Sequence, residues 1–226
     1  MRFNEFKNIE DYDRKIFKIT NLSDSIKRGL KIDKLDEPFY GVLYVDYECG
    51  ITCRIYRNNT IYIKEELLLI RKNNFEDLNF DKFENLNEND KEVLNQINNS
   101  YYDEVLNELL EDKRLNKFRH EDFLYDVQVL LPTEKGLEQM WCRLVNKTSN
   151  ENLYVGKLLN NSYVNKNFHE GITVVFEYIL DEDRNDGLII NGIATFDNEE
   201  DCEDISTKDK FLNIYTNTNL KVVVLC

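Results

Sequence analysis

The stretch that decides the fold reads Leu137-Glu-Gln-Met-Trp-Cys-Arg-Leu-Val145, then Tyr154-Val-Gly-Lys-Leu-Leu-Asn160, then Glu170-Gly-Ile-Thr-Val-Val-Phe176. Each run has the length and apolar content of a β-strand, and each break between runs carries turn residues. The order is a strand around the chain's one tryptophan, a strand that contains a glycine, a polar loop and a third strand. This stretch therefore predicts a small β-module.

The residues around this stretch extend the β-module. Further strand-like runs lie at 188–196, 211–217 and 220–225, and residues 123–129 alternate apolar and polar side chains. Regular short strands separated by Asn, Asp and Gly turns are typical of small barrels. We therefore predict that residues 121–226 form a mostly antiparallel, barrel-like β module.

Residues 1–120 mix strand and helix patterns. Lys15–Thr20 alternates as a strand does, and Phe39–Tyr47 is expected to form a hairpin with Ile51–Tyr56. Apolar residues that recur every four positions predict a long helix near 89–112. Three or four strands with this helix fit a ferredoxin-like fold or an open α/β sandwich. The whole chain is therefore expected to be α+β.

The composition is that of a globular protein from an AT-rich, bacterial genome, since alanine occurs once and proline twice. Hydrophobic residues make up 42% and charged residues 32% of the chain. No apolar run approaches the roughly 20 residues of a membrane span. The N-terminus also lacks the apolar core of a signal peptide. We expect a cytoplasmic protein that does not enter a membrane.

Acidic residues are in large excess. With 43 Asp and Glu against 29 Lys and Arg, the formal net charge is −14. A field of this sign attracts a basic protein and repels nucleic acid and anionic membranes, although acidity also serves solubility alone. The candidate docking residues in the densest acidic run are Glu199, Glu200, Asp201, Glu203 and Asp204.

The local motifs do not predict catalysis, a metal or a cofactor. The odd number of cysteines, 5, indicates free thiols. His120 and His169 lack partners at the spacing that catalytic and metal-binding histidines need. Residues 181–187 begin like a calcium loop but lack its glycine and its glutamate. We therefore expect no cofactor and no catalytic or metal-ligating residue.

Trp141 is the candidate anchor for a partner. Strand alternation separates it from Met140, Cys142 and Leu144, which are expected to face the core. Trp141 is then expected to lie on the opposite face and to be partly exposed. It is either a rim aromatic or a partner-binding residue.

The β-module carries the motifs Glu138-Gln-Met-Trp-Cys-Arg-Leu-Val, Val155-Gly-Lys-Leu-Leu-Asn-Asn and Gly171-Ile-Thr-Val-Val-Phe-Glu. They resemble motifs of the YegJ-like family of bacterial domains of unknown function. The matching positions are Glu138, Trp141, Gly156, Leu158, Asn160, Gly171, Val174 and Phe176. The family's usual proline after the asparagine pair is Ser162 here, and its usual aspartate after the glycine is Ile172. The resemblance implies a compact β fold without an established activity, and some relatives look like immunity or accessory proteins.

We predict a non-enzymatic cytoplasmic binding protein, and in particular an immunity-like acidic protein that neutralises a basic protein partner. One alternative is a hydrolase-like enzyme whose site combines dispersed carboxylates with His169. Another alternative is a regulatory interaction module. The sequence does not specify the oligomeric state or the identity of the partner.

Overall fold

The computed structural model describes residues 2–22, 24–29, 39–57, 68–72, 75, 78–148, 150–180 and 187–193. Its helices are α1 (Asp24–Gly29), α2 (Glu88–Tyr101) and α3 (Glu104–Glu111). Its strands are β1 (Lys15–Thr20), β2 (Phe39–Asp46), β3 (Gly50–Arg57), β4 (Leu68–Arg71), β5 (Asn79–Lys82), β6 (Asp126–Thr133), β7 (Gly136–Lys147), β8 (Leu153–Leu158), β9 (Thr173–Ile179) and β10 (Gly187–Ile193). The chain is α+β, as the sequence predicts.

Two compact units divide the chain. The first comprises Met1–Tyr102 with Glu121–Leu124, and the second comprises Asp103–His120 with Tyr125–Cys226. The predicted division into 1–120 and 121–226 is thereby corrected. Helix α3 and the 3-10 helix that follows it belong to the second unit, because Leu109 and Leu115 are fully buried in the core of the β-module.

The first unit is built on an open antiparallel sheet with the strand order β4-β3-β2-β1-β5. Strands β2 and β3 form the predicted hairpin, and Gly50 closes its turn with a φ of +72°. Strand β1 pairs directly and antiparallel with both β2 and β5. Of the two predicted arrangements, the structure therefore has the open sheet and not the ferredoxin-like order. Strands β4 and β5 raise the number of described strands to 5, where three or four were predicted.

Both faces of this sheet are covered. Val93 and Ile97 of α2 are buried against Val42 and Tyr44 of β2, so the predicted apolar stripe of the helix is confirmed. An aromatic cluster covers the other face, and its members are Phe3, Phe6, Tyr12, Phe17, Phe75 and Phe80. Burying apolar surface on both sides is what makes a sheet with open edges a stable layer.

The single helix predicted near 89–112 is interrupted. Helix α2 ends at Tyr101, and the backbone of Tyr102 and Asp103 is extended. The Asp103 carboxylate accepts a hydrogen bond of 2.9 Å from the N–H of Leu106 and so caps α3. Aspartate is a poor residue for a helix interior and a good one for an N-cap, which explains the break.

The second unit contains the predicted barrel. Its five strands close in the order β10-β6-β7-β8-β9. Four of the pairings are antiparallel, and the closing pair of β10 with β6 is parallel, with Ile189 opposite Leu130. Four antiparallel steps leave the first and last strands running in the same direction, so the closing pair must be parallel. The mostly antiparallel barrel is therefore confirmed, and the strands predicted at 211–217 and 220–225 lie outside the described residues.

The barrel interior follows the predicted alternation. Met140, Cys142 and Leu144 are buried, whereas Trp141 on the opposite face is half-buried. Phe168, from the loop between β8 and β9, also enters the core. In the described part of the chain, no helix has both the length and the apolar character that crossing a bilayer requires.

Candidate partner-binding surface of the barrel

Trp141 lies on the outward face of the barrel, with Gln139 and Arg143 beside it on β7 and Gln128 directly opposite on β6. On β7 it shares the outward face with Leu137, which is 59% exposed. On β6 the outward residues include Leu130 and Pro132, and Ile189 of β10 lies opposite Leu130. We call the five apolar residues of this set the Trp141 face. Pro132 is exposed like Leu137, while Leu130, Trp141 and Ile189 are half-buried, so the face presents apolar atoms to solvent.

Trp141 is held in place by its surroundings. Its backbone N–H donates a 2.7 Å hydrogen bond to Oδ1 of Asn160, and its carbonyl accepts the N–H of Leu159 at 2.9 Å. The ring of His120 meets the indole in an edge-on arrangement at a centroid distance of 5.3 Å. These contacts hold the backbone of Trp141 and place the ring of His120 against its indole.

A bidentate ion pair borders the Trp141 face along β6 and β7. The carboxylate of Asp126 accepts hydrogen bonds from Nε of Arg143 at 2.7 Å and from its other guanidinium nitrogen at 3.0 Å. The two residues are directly opposite each other in the strand register. This cross-strand pair stiffens the sheet next to Trp141.

The loop between β8 and β9 is anchored to the same strand. Oε1 of Glu138 accepts the N–H of Tyr163 at 2.7 Å, and Oε2 accepts the hydroxyl of Ser162 at 2.6 Å. Burial alone would raise the pKa of Glu138, but these hydrogen bonds and one from the backbone of Val164 outweigh it and lower the pKa. Glu138 is therefore ionised at neutral pH and holds the loop against the barrel.

The residues that carry the family resemblance have structural roles here. A Cβ atom on Gly156 would lie 2.7 Å from the carbonyl oxygen of Arg143, so only glycine fits between β7 and β9. Gly171 has a φ of +84°, which favours glycine. Glu138 and Asn160 fix the loop and strand β7, as described above. The motif thus specifies how the loop is built on the barrel.

Another carboxylate is enclosed at the opposite end of the barrel. Asp112 accepts the hydroxyl of Tyr154 at 2.7 Å and a nitrogen of the Arg114 guanidinium at 2.7 Å, and Nζ of Lys147 lies 3.6 Å away. Burial would raise the pKa of Asp112, but the hydrogen bonds from Arg114 and Tyr154 hold it well below its ordinary value. Burial and Asp112 raise the pKa of Tyr154. Asp112 is thus an ionised structural acceptor.

The predicted carboxylate site around His169 is not assembled in the described residues. His169 is exposed, and its Nδ1 lies 2.9 Å from the backbone oxygen of Glu170. The enclosed carboxylates are engaged elsewhere: Asp126 pairs with Arg143, Asp112 with Arg114, and Asp90 with Tyr56. Each of these carboxylates has a structural partner.

The remaining predicted groups are the cysteines, a possible metal site and the acidic patch. Cys49, Cys53 and Cys142 are free, and burial raises the pKa of Cys53 and of Cys142. Across the described ranges, no group of three or more His, Cys, Asp or Glu residues is placed to hold a metal ion. The predicted partner-binding residues Glu199, Glu200, Asp201, Glu203 and Asp204 lie outside the described residues, as does the calcium-like run 181–186.

Comparison of the chain with models of known families, with curated proteins and with solved structures found no match. The resemblance to the YegJ-like family therefore stays a prediction. Sequence reasoning predicted the outward, partly exposed position of Trp141 but not the hydrogen bonds of Glu138 or the exposure of Tyr163. Glu138 and Tyr163 are 25 residues apart. One signal for Glu138 was available in the sequence, because it is among the positions that match the YegJ-like motifs.

Proposed function

We propose that this chain is a non-enzymatic binding protein that captures a basic protein partner with the Trp141 face. The observation that carries the proposal is the setting of Trp141. It is half-buried, held by a hydrogen bond to Asn160 and a ring contact with His120, and shares the outward face of β7 with the exposed Leu137. An aromatic residue that is already ordered loses little conformational freedom on binding, and tryptophan is enriched among residues that dominate interface energies.

The charge of the chain supports a basic partner. Residues 181–204 contain 10 acidic residues and one arginine, and so supply most of the net charge of −14. Complementary fields accelerate association and select partners. The same field disfavours nucleic acid and anionic membranes. An immunity-like role in the cytoplasm, in which the chain neutralises a basic protein, fits these properties.

The alternative function, a regulatory interaction module, differs from the proposed function in the charge of the partner. Such a module would use the Trp141 face without a requirement for a basic protein. The salt dependence of association separates the two functions, because screening shortens the reach of the field to about 8 Å at physiological ionic strength.

The test first isolates a protein that binds the chain at low salt. Its association rate is then measured with two variants, each of which carries five substitutions. One neutralises Glu199, Glu200, Asp201, Glu203 and Asp204. The control neutralises five exposed acidic residues of the first unit, namely Asp24, Glu48, Asp81, Glu84 and Glu92. We expect the first variant to lose at least about tenfold in association rate at low salt and the control to lose much less. A partner that is acidic or neutral, and that binds equally well in high salt, would contradict the proposal.

A further inference from the structure

Tyr163 is the most exposed of the large hydrophobic side chains in the described residues. Its side chain is 98% exposed, and that of the adjacent Val164 is 40% exposed. Large aromatic side chains contribute much of the affinity of protein interfaces, and tyrosine is among the residues enriched there. An exposed aromatic ring on an ordered backbone loses less conformational entropy on binding than one on a flexible loop.

The backbone beneath Tyr163 is fixed from several sides. Glu138 accepts both the N–H of Tyr163 and the hydroxyl of Ser162. The Ser162 hydroxyl oxygen in turn accepts the N–H of Asn165 at 2.9 Å. The N–H of Ser162 donates to the carbonyl of Phe168, whose ring is buried in the barrel core. These contacts order the loop before any partner binds.

The loop that carries Tyr163 begins beside the backbone of Trp141. The N–H of Leu159 donates to the carbonyl of Trp141, and Asn160 accepts the N–H of Trp141. Three residues later, the backbone N–H of Tyr163 donates to Glu138, whose side chain lies on the face of β7 opposite to Leu137 and Trp141. Tyr163 therefore lies at the end of the barrel where β7 begins, which is also the end that carries Leu137.

We infer that Tyr163 is a second anchor for the basic protein partner and inserts its ring into a pocket of that partner. This inference rests on the proposed function. Charge favours a basic occupant over a second copy of this chain, because each copy carries a net charge of −14. Like charges repel, whereas a basic protein gains from the same field.

The test starts from a partner that is captured at low salt, identified and purified. Its Kd is then measured for the wild-type chain and for the variants Tyr163→Ala, Tyr163→Phe and Leu180→Ala. Leu180 is the matched control, because it is 64% exposed and follows β9 at the opposite end of the barrel. We expect Tyr163→Ala to weaken binding at least about tenfold, Leu180→Ala to change it less than about twofold, and Tyr163→Phe to retain most of it.

Each outcome separates the inference from the proposed function. If Tyr163→Ala binds as tightly as the wild type while binding still depends on salt and on Trp141, the second anchor is refuted and the proposed function stands. If Tyr163→Ala and Leu180→Ala weaken binding equally, the loss is not specific to the loop and the inference is also refuted. If no basic protein binds the wild-type chain, the proposed function fails and the inference falls with it.

Discussion

The carboxylate of Glu138 accepts the backbone N–H of Tyr163 at 2.7 Å across 25 residues of sequence. One oxygen thus holds the first part of the loop between β8 and β9, while the other holds Ser162 at 2.6 Å. The hydrogen bonds are charge-assisted, which makes them stronger than neutral ones. The exposed ring of Tyr163 therefore depends on a residue at the start of β7.

Glu138→Gln is predicted to loosen the loop while leaving the barrel folded. The amide keeps one acceptor but loses the charge, so the local opening free energy should fall by about 1 kcal/mol. Hydrogen exchange should become faster at the N–H groups of Tyr163 and Val164. Glu134→Gln, an exposed residue of the β6–β7 turn, is the control and should change neither rate. Unchanged exchange in Glu138→Gln would contradict the assigned role of this carboxylate.

Gly156→Ala is predicted to destabilise the barrel by about 1–3 kcal/mol. The added Cβ would meet the Sγ atom of Cys142 and lie 2.7 Å from the carbonyl oxygen of Arg143. The free energy of unfolding, measured with denaturant, checks the prediction. In a double-mutant cycle, Cys142→Ala should recover part of the loss because it removes the sulfur. Stability equal to the wild type in Gly156→Ala would show that the strands separate more easily than this packing implies.

Asp112→Asn is predicted to destabilise the barrel by roughly 1–3 kcal/mol at neutral pH. Asp112 has a folded-state pKa below its ordinary value of 3.8, so its stabilising effect is fully present above that value. The effect is lost as the pH falls through the folded-state pKa. Denaturation at neutral pH and at about pH 3 should therefore show a smaller difference between variant and wild type in acid. If the difference in unfolding free energy between Asp112→Asn and the wild type grew in acid, the assigned lowering of the Asp112 pKa would be contradicted.

Tyr56→Phe is predicted to destabilise the first unit by roughly 1–2 kcal/mol. The Tyr56 hydroxyl donates a 2.7 Å hydrogen bond to Asp90, whose side chain also accepts the N–H of Asn87 at the start of α2. Asp90 is 0% exposed, so water does not replace the lost donor. Tyr101→Phe, on an exposed ring, is the control. Equal unfolding free energies for Tyr56→Phe and the control would contradict the role of the hydroxyl.

The sequence predicted those parts of the fold that depend on local alternation. The burial of Met140 and Cys142 and the half-burial of Trp141 follow from the two-residue period of a strand. The sequence left residues 65–70 open between helix and strand, and β4 forms there, while β5 was missed because it has only four residues and carries little pattern. The break at Asp103 was also missed, because apolar spacing continues across it and only the capping geometry reveals it.

The site was less predictable than the fold, because its contacts are not local. Closure of the barrel brings Ile189 opposite Leu130, and this pairing adds β10 to the Trp141 face. The sequence gives no local signal for that pairing. The loop contact between Glu138 and Tyr163 likewise forms only after β7 and β8 have paired. The outward position of Trp141 was predicted, because alternation within one strand places it outside the core.

The most direct test of the central claim uses Trp141, the one tryptophan of the chain, as its own reporter. The purified basic partner is titrated into the wild-type chain at low salt while tryptophan emission is recorded, with a tryptophan-free form of the partner. If the Trp141 face is the binding surface, emission shifts to shorter wavelength and saturates with the bound fraction, added salt reverses the shift, and Trp141→Ala binds at least about tenfold more weakly. Full binding with unchanged emission, together with wild-type affinity for Trp141→Ala, would contradict the account.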